Sequence, residues 1–280
     1  MSPAPSETPK PALLYVTDLF YESTGRPYYE EDLFLSGELR DDFDVLLCQP
    51  MSAPRFLDSA DGIVSRNTGP VMLYADEYER FREGARASGA RVYNELTGKG
   101  DMQGKQHLVD LTREGSAVIP TVDDLADRSR LPPAETYVIK SKRGADSIGM
   151  RVVDADDLDR VVLDGEVLQP RIEFVHEASF FFVDHEFVYA LYAPDPSARW
   201  ELRPFEPSAA DLAFARSFIE WNDIEHGIQR VDGCRLESGD LLLMELEDNN
   251  PYLSLDVLDV ATRRRFVETL RSSLKEYMSS

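Results

Sequence analysis

Arg230-Val231-Asp232-Gly233-Cys234, followed at a short interval by Leu241-Leu242-Leu243-Met244-Glu245-Leu246-Glu247-Asp248-Asn249-Asn250-Pro251, is the stretch on which the fold of this chain turns. Strands near Ile228–Val231 and Leu241–Glu245, joined by a glycine-containing turn, are the reading of this stretch, with carboxylates at their ends. Glu245 and Glu247 are two apart and share one face of a strand. If the two strands pair antiparallel, Asp232 joins them at the same end. Three hard oxygen donors gathered in this way suit Mg²⁺, which takes a few carboxylates and leaves places for substrate phosphates. A solvated acidic strand end is the other reading of these residues on spacing alone.

Moving toward the N-terminus, the chain alternates strands and helices. Ser179-Phe180-Phe181-Phe182-Val183 and Phe187-Val188-Tyr189-Ala190-Leu191 flank Asp184-His185-Glu186 as a hairpin, with the three phenylalanines as strand core. Amphipathic spacing predicts helices over Ser208–Asp223 and Ala261–Tyr277. Tyr137–Lys140 and Met150–Val153 read as strands around the glycine-bearing turn Ser141–Gly149, which excludes a P-loop or Rossmann fingerprint because no helix follows the glycines. Lys105–Glu114 reads as a helix closed by Gly115, Val118–Thr121 as an extended segment, and Asp123–Arg130 as a second polar helix. Before residue 97, strands at Ala12–Val16, Val45–Cys48, Gly62–Val64 and Val71–Tyr74 alternate with helical spacing, clearest from Asp76 to Ala87, and point to a mostly parallel sheet.

Composition bounds the partners. The 280 residues carry 52 acidic and 30 basic side chains, a formal net charge of −22, which disfavours nucleic acid and anionic membranes. The proline-rich Met1–Pro11 reads as a disordered leader and not a signal peptide. With no apolar run long enough to span a bilayer, a cytoplasmic location is expected. The sequence leaves the oligomeric state open, a homodimer included. Only Lys10, Lys99, Lys105, Lys140, Lys142 and Lys275 are lysines. Lys105 and Lys140 each adjoin a glycine-bearing turn, where a compact cation and backbone N–H groups can meet phosphate oxygens, although either alone also reads as a surface charge. Cys48 and Cys234 read as buried, inert thiols. His107, His176, His185 and His226 have no ligand spacing and read as surface or helix-face residues, with His176 of interest for its neighbour Glu177. Asn67-Thr68-Gly69 reads as a βα turn.

In order, these features resemble the ATP-grasp superfamily over residues 94–260, with likeness to its ribosomal-protein glutamate ligase, glutathione synthetase and D-cycloserine cyclo-ligase branches. Asn94–Thr121 is similar to the family's segment in which a lysine opens a helix, placing Lys105 as the first phosphate-binding lysine. Val138-Ile139-Lys140 with Gly144 and Gly149 resembles the second lysine and its glycine-rich lid, which implies ATP contacts from Lys140, Gly144 and Ser147. Leu168-Gln169-Pro170-Arg171-Ile172 resembles the hinge that binds adenine through its backbone; Pro170 has no N–H, so Gln169, Arg171 and Ile172 are the implied contacts, with Arg171 or Ile172 as donor. Glu177 lies where the family places a ribose-binding acid, and Arg203 resembles an arginine that contacts phosphate. Arg230-Val231-Asp232 and Glu245-Leu246-Glu247 look like its magnesium motifs.

Two departures stand out. Glu247 replaces the commoner Asn, as in the D-cycloserine cyclo-ligase branch, where a Pro also follows. The lid has Lys140-Ser141-Lys142 in place of Lys-Pro. The resemblance implies an α/β (α+β) ATP-grasp fold with an N-terminal domain (12–97), a central lid (98–167) and a C-terminal subdomain (168–280), and ATP held between the last two. It also implies Mg²⁺, with Mn²⁺ as a substitute, and ligation of an amino acid, peptide or similar small acid to an amine through an acyl phosphate, with Arg203 and Arg230 serving catalysis. Ring closure, phosphorylation of an acid without an amine, and nucleotide binding without turnover are the alternatives. The N-terminal domain of the family often contributes acceptor contacts, which draws attention to Arg26, Tyr28 and Tyr29.

Overall fold

A computed structural model describes residues 9–23, 26–66, 74–144, 149–195, 198 and 200–280. Ser147, Asn67-Thr68-Gly69, residues 71–73 of the strand expected at Val71–Tyr74, and most of the leader lie outside the described residues; Tyr74 precedes a helix.

The N-terminal part comprises β1 (Ala12–Val16), the two-residue pair β2 (Glu22–Ser23) and β3 (Arg26–Pro27), α1 (Tyr29–Leu39), β4 (Asp44–Cys48), β5 (Gly62–Ser65), α2 (Ala75–Ser88) and β6 (Val92–Tyr93). Strands β4-β1-β5-β6 form a parallel sheet. β1 is apolar along its whole length because both of its faces are covered. Tyr78, Phe81 and Ala85 supply the buried stripe of α2, which ends at Gly89 in the left-handed conformation (φ 70°).

The middle of the chain contains α3 (Gln106–Glu114), β7 (Thr136–Ser141), β8 (Arg151–Asp154) and β9 (Glu166–Pro170). Antiparallel β8-β7-β9 form a small sheet. The expected boundary at 167/168 falls inside β9. The polar helix expected over Asp123–Arg130 is a short 3₁₀ segment, Leu125–Arg130, capped by Asp124; none of its residues is buried, so it has no apolar stripe to sustain a longer helix. Val118 bridges Leu243 and Val122 bridges Leu168, so five residues connect the small sheet to the large one.

The C-terminal part consists of β10 (His176–Val183), β11 (Glu186–Ala193), β12 (Arg203–Pro204), α4 (Ala209–Asn222), β13 (Ile228–Arg235), β14 (Leu241–Glu247) and α5 (Val260–Ser279), with antiparallel sheet order β12-β11-β10-β13-β14. One face of this sheet packs on the N-terminal domain and α5 through Phe181, Tyr189, Leu191, Phe266 and Leu270. The other packs on α3 and α4 through Phe180, Phe182, Val231, Leu243 and Leu246. The consecutive phenylalanines thus serve both cores. Among the described residues no helix is long and apolar enough to cross a membrane.

α4 begins with a capping box in which Ser208 and Asp211 bond each other's backbone N–H groups. Asp211 also meets Arg235 at 2.7 Å. Burial opposes its ionisation, but Arg235 and Ser208 outweigh that and hold its carboxyl below the ordinary 3.8. A folded-state value below the unfolded one adds stability that is complete above the unfolded value and is lost as pH falls through the folded one. Asp211→Asn is therefore expected to flatten the acid limb of stability against pH below about pH 4, measured by urea unfolding.

Candidate active site

β13 and β14 pair antiparallel with Asp232 directly opposite Glu245 and Arg230 opposite Glu247. The register contains a bulge: Gly233 pairs with Leu243, so Met244 is the extra residue. Before the bulge, Leu241 and Leu243 face the α3/α4 core; after it, Leu246 does. One inserted residue therefore turns Glu245 and Glu247 to the opposite face, beside Asp232. One oxygen of each carboxylate lies within 4.8 Å of the other two.

Arg230 organises the acids. Its Nη2 donates to Asp232 Oδ2 at 2.8 Å and to Glu247, its Nε donates to Asp232 Oδ1 at 3.0 Å, and its Nη1 donates to the Tyr252 carbonyl at 2.8 Å. The guanidinium also lies over the Phe181 ring, 5.9 Å from its centroid. Glu245 projects furthest, with its side chain 39 % exposed and 3.4 Å from Lys105 Nζ. Desolvation works against its charge, yet Lys105, Lys140 and Arg230 together hold its carboxyl down at about 2. Glu247 goes the other way: burial, with Asp232, Asp101 and Glu245 close by, pushes its carboxyl well up despite Arg230. A divalent cation between the three would relieve that repulsion, so the donor set fits Mg²⁺ or Mn²⁺ in both chemistry and charge.

The two lysines come from different elements. Lys105 caps α3, and its Nζ donates to the Gly144 carbonyl at 2.6 Å. Lys140 lies on β7 opposite Val167 of β9, and its charge acts on both Glu245 and Cys234. Glu177 is opposite Cys234 in the β10–β13 register and, two residues from the Ser179 that faces Asp232, shares the face of the carboxylates. Lys105, Lys140 and Arg230 thus surround the carboxylates of Asp232, Glu245 and Glu247, with Glu177 further along the same face of the large sheet.

Other expected contacts lie apart. Arg203 is exposed on the edge strand β12, with β11 and β10 between it and β13. Its register partner Tyr192 packs on the α3/α4 side, so the pleat assigns Arg203 to the face away from the carboxylates. Gln169 is buried and its amide donates to Thr121 Oγ1 at 2.8 Å, leaving its side chain turned into the protein. The Arg171 N–H donates to the Thr136 carbonyl at 3.0 Å, so of the two donors expected there, Arg171 and Ile172, the first is engaged within the fold. His176 stacks edge-on against Tyr192, on the α4 side.

His107 was expected at the surface or on a helix face; it is 1 % exposed. Its Nδ1 faces the Gly104 carbonyl at 3.0 Å and its Nε2 accepts from the Leu246 N–H at 3.3 Å, while burial lowers its pKa. The neutral ring thereby ties the Lys105 turn to the strand between Glu245 and Glu247. It adjoins Leu108 and lies four residues before Leu111 on a short helix, with no ligand spacing that could have revealed this. Asp101 and Asp248 do similar work: Asp248 accepts the N–H groups of Gly100 and Met102, and Asp101 those of Asp248 and Asn249. Both cysteines are buried and free.

Gly104 is required where it stands. Its φ is +69°, and a Cβ there would come within 2.4 Å of the Lys142 carbonyl oxygen, which accepts the Lys105 N–H at 2.7 Å. Gly104→Ala is expected to cost at least about 2 kcal/mol in urea unfolding, from the left-handed penalty and the backbone clash together, and to weaken nucleotide binding.

No protein-family profile matches the chain, and no curated protein matches it in sequence. Solved structures do. D-cycloserine synthetase DcsG aligns with a TM-score of 0.72 at 20 % identity, over 94 % of this chain and 99 % of that one. ATP-grasp ligase PsnB, solved with precursor peptide PsnA2 and AMPPNP, aligns with a TM-score of 0.62 at 12 % identity, over 97 % and 98 %. D-alanine–D-alanine ligase from Bacillus anthracis aligns with a TM-score of 0.62 at 15 % identity, over 96 % of each chain. The chain has the ATP-grasp fold.

Proposed function

We propose that this protein is an ATP-dependent carboxylate–amine ligase acting on an amino acid, peptide or similar small acid. The observation that carries this reading is the meeting of Asp232, Glu245 and Glu247 with the charges of two lysines from separate elements. A carboxylate and ATP repel each other, so the reaction needs the phosphate charge balanced before the two can touch. Lys105 and Lys140 supply positive charge from the α3 and β7 sides, and Arg230 holds two of the three acids in place. Mg²⁺ or Mn²⁺ held by Asp232, Glu245 and Glu247 would neutralise phosphate oxygens and orient the γ-phosphoryl group. Ile172 offers a backbone donor to the base, and Glu177 an acceptor to the ribose.

The substrate carboxylate oxygen attacks the γ-phosphorus, the bond to the β-phosphate oxygen breaks, and ADP departs. The amine nitrogen then attacks the acyl carbon of the acyl phosphate, the carbon–oxygen bond breaks, and phosphate and a proton leave an amide. Exclusion of water by the turn that follows Lys140 protects the acyl phosphate from hydrolysis. A ring-closing version, with acid and amine on one molecule, is the second reading. It is favoured by the likeness to a protein whose name includes the cyclic product D-cycloserine.

The test is an assay of ADP and phosphate release with ATP and Mg²⁺ across amino acids and peptides, with product masses read in parallel. Acid-dependent ADP release together with an amide product is expected, and loss of water within one acid-amine molecule would identify ring closure. ATP binding without acid-stimulated release would overturn the ligase reading.

A further inference from the structure

Arg66 follows β5 in the N-terminal domain and is wholly buried, so it cannot touch a substrate. Its Nη1 nevertheless donates to the Pro251 carbonyl at 2.6 Å, across the domain junction. Its Nη2 donates to Glu31 at 3.0 Å, and the same Glu31 oxygen accepts the Leu253 N–H at 2.9 Å. Asp32, which accepts hydroxyl bonds from Tyr15 and Thr17, lies 3.6 Å from Arg66 Nε. Residues 251 and 253 are thus held from the N-terminal side. Between them, the Tyr252 carbonyl receives Arg230 Nη1, and the Tyr252 ring packs on Tyr28 with centroids 4.2 Å apart. Burying an arginine with two acids is a poor way to gain stability compared with apolar packing, but it fixes direction. What is fixed here is the loop that presents an acceptor to the arginine holding Asp232 and Glu247.

We propose that Arg66 is a positioning residue for the carboxylate site: with Glu31 it sets the 251–253 backbone, which sets Arg230, which sets Asp232 and Glu247. The inference rests on the reading of those acids as a metal site. It makes the N-terminal domain part of the site's support without contributing a ligand.

The experiment measures Mn²⁺ binding in the presence of ADP by electron paramagnetic resonance, on the full chain, for the unaltered protein, Arg66→Lys, Arg230→Lys and the double variant. Arg66→Lys keeps the buried charge but loses the forked geometry. It is expected to weaken Mn²⁺ binding about tenfold, the small end of the range for groups that orient a metal's ligands, because Arg66 acts through the loop and Arg230. In the Arg230→Lys background the same change is expected to have no further effect on Mn²⁺, as for residues that act along one network. Glu31→Gln, which cuts the Arg66 arm while keeping an acceptor for Leu253, is the second variant should Arg66→Lys not fold, and the same tenfold loss is expected. A folded variant with unchanged Mn²⁺ affinity, or an Arg66 effect undiminished beside Arg230→Lys, overturns this inference alone. Absence of Mn²⁺ binding by the unaltered chain overturns the metal site with it.

Discussion

Glu245→Gln is expected to lower kcat/KM for acid-dependent ADP release by about 10²–10³-fold, the scale on which loss of one preorganised charge-stabilising group is felt. The side chain lies opposite Asp232 and 3.4 Å from Lys105, in the combined field of Lys105, Lys140 and Arg230. The substitution replaces a charged carboxylate with a neutral amide and leaves Lys105 with the Gly144 carbonyl as an acceptor. Gln is isosteric, and Glu245 is the most exposed acid of the three, so the fold is expected to survive, as circular dichroism would report. Glu237→Gln, at an exposed position in the β13–β14 turn, is the control and should leave turnover unchanged. Full activity in Glu245→Gln would remove the site from this strand end.

Lys140→Ala carries the second large effect: a rise in the KM for ATP and a fall in kcat of about 10²-fold. Lys140 is the cation that the small sheet contributes to the site, and without it the phosphates meet the acids with Lys105 and Arg230 alone. A readout independent of turnover follows from its action on Glu245. Lys140 helps hold that carboxyl down at about 2, so removing the positive charge must move it upward. Carboxyl titration by NMR would show the shift in the protein without nucleotide. An unmoved Glu245 would mean that Lys140 does not face it.

Several elements were legible in the sequence because local chemistry dictates them. Ala12–Val16 and the hairpin around Asp184-His185-Glu186 are apolar runs with turn residues at their ends, the strand read near Ile228–Val231 continues to Arg235, and Gly89 and Gly115 terminate α2 and α3 in the left-handed conformation. Lys105 and Lys140 are conspicuous because lysine is scarce, and the charges of both act on Glu245. Arg203 shows where order along the chain stops being informative. The strand order leaves it on an edge with two strands between it and β13. That outcome does not follow from neighbouring residues. The burial of His107 and Arg66 depends on partners 139 and 185 residues away along the chain.

By itself the sequence determined which groups are available: two carboxylates at alternate positions of a strand, a third at the end of its partner, and few lysines to face them. The tertiary structure decided where they point. Regular alternation from Leu241 and Leu243 would carry Glu245 into the α3/α4 core, where a carboxylate would lose its hydration with no compensating partner. The extra residue at Met244 reverses the pleat, so Leu246 takes the core position and Glu245 and Glu247 turn toward Asp232 and Arg230. Spacing along one strand cannot specify that reversal, because it depends on the register with which β14 meets β13.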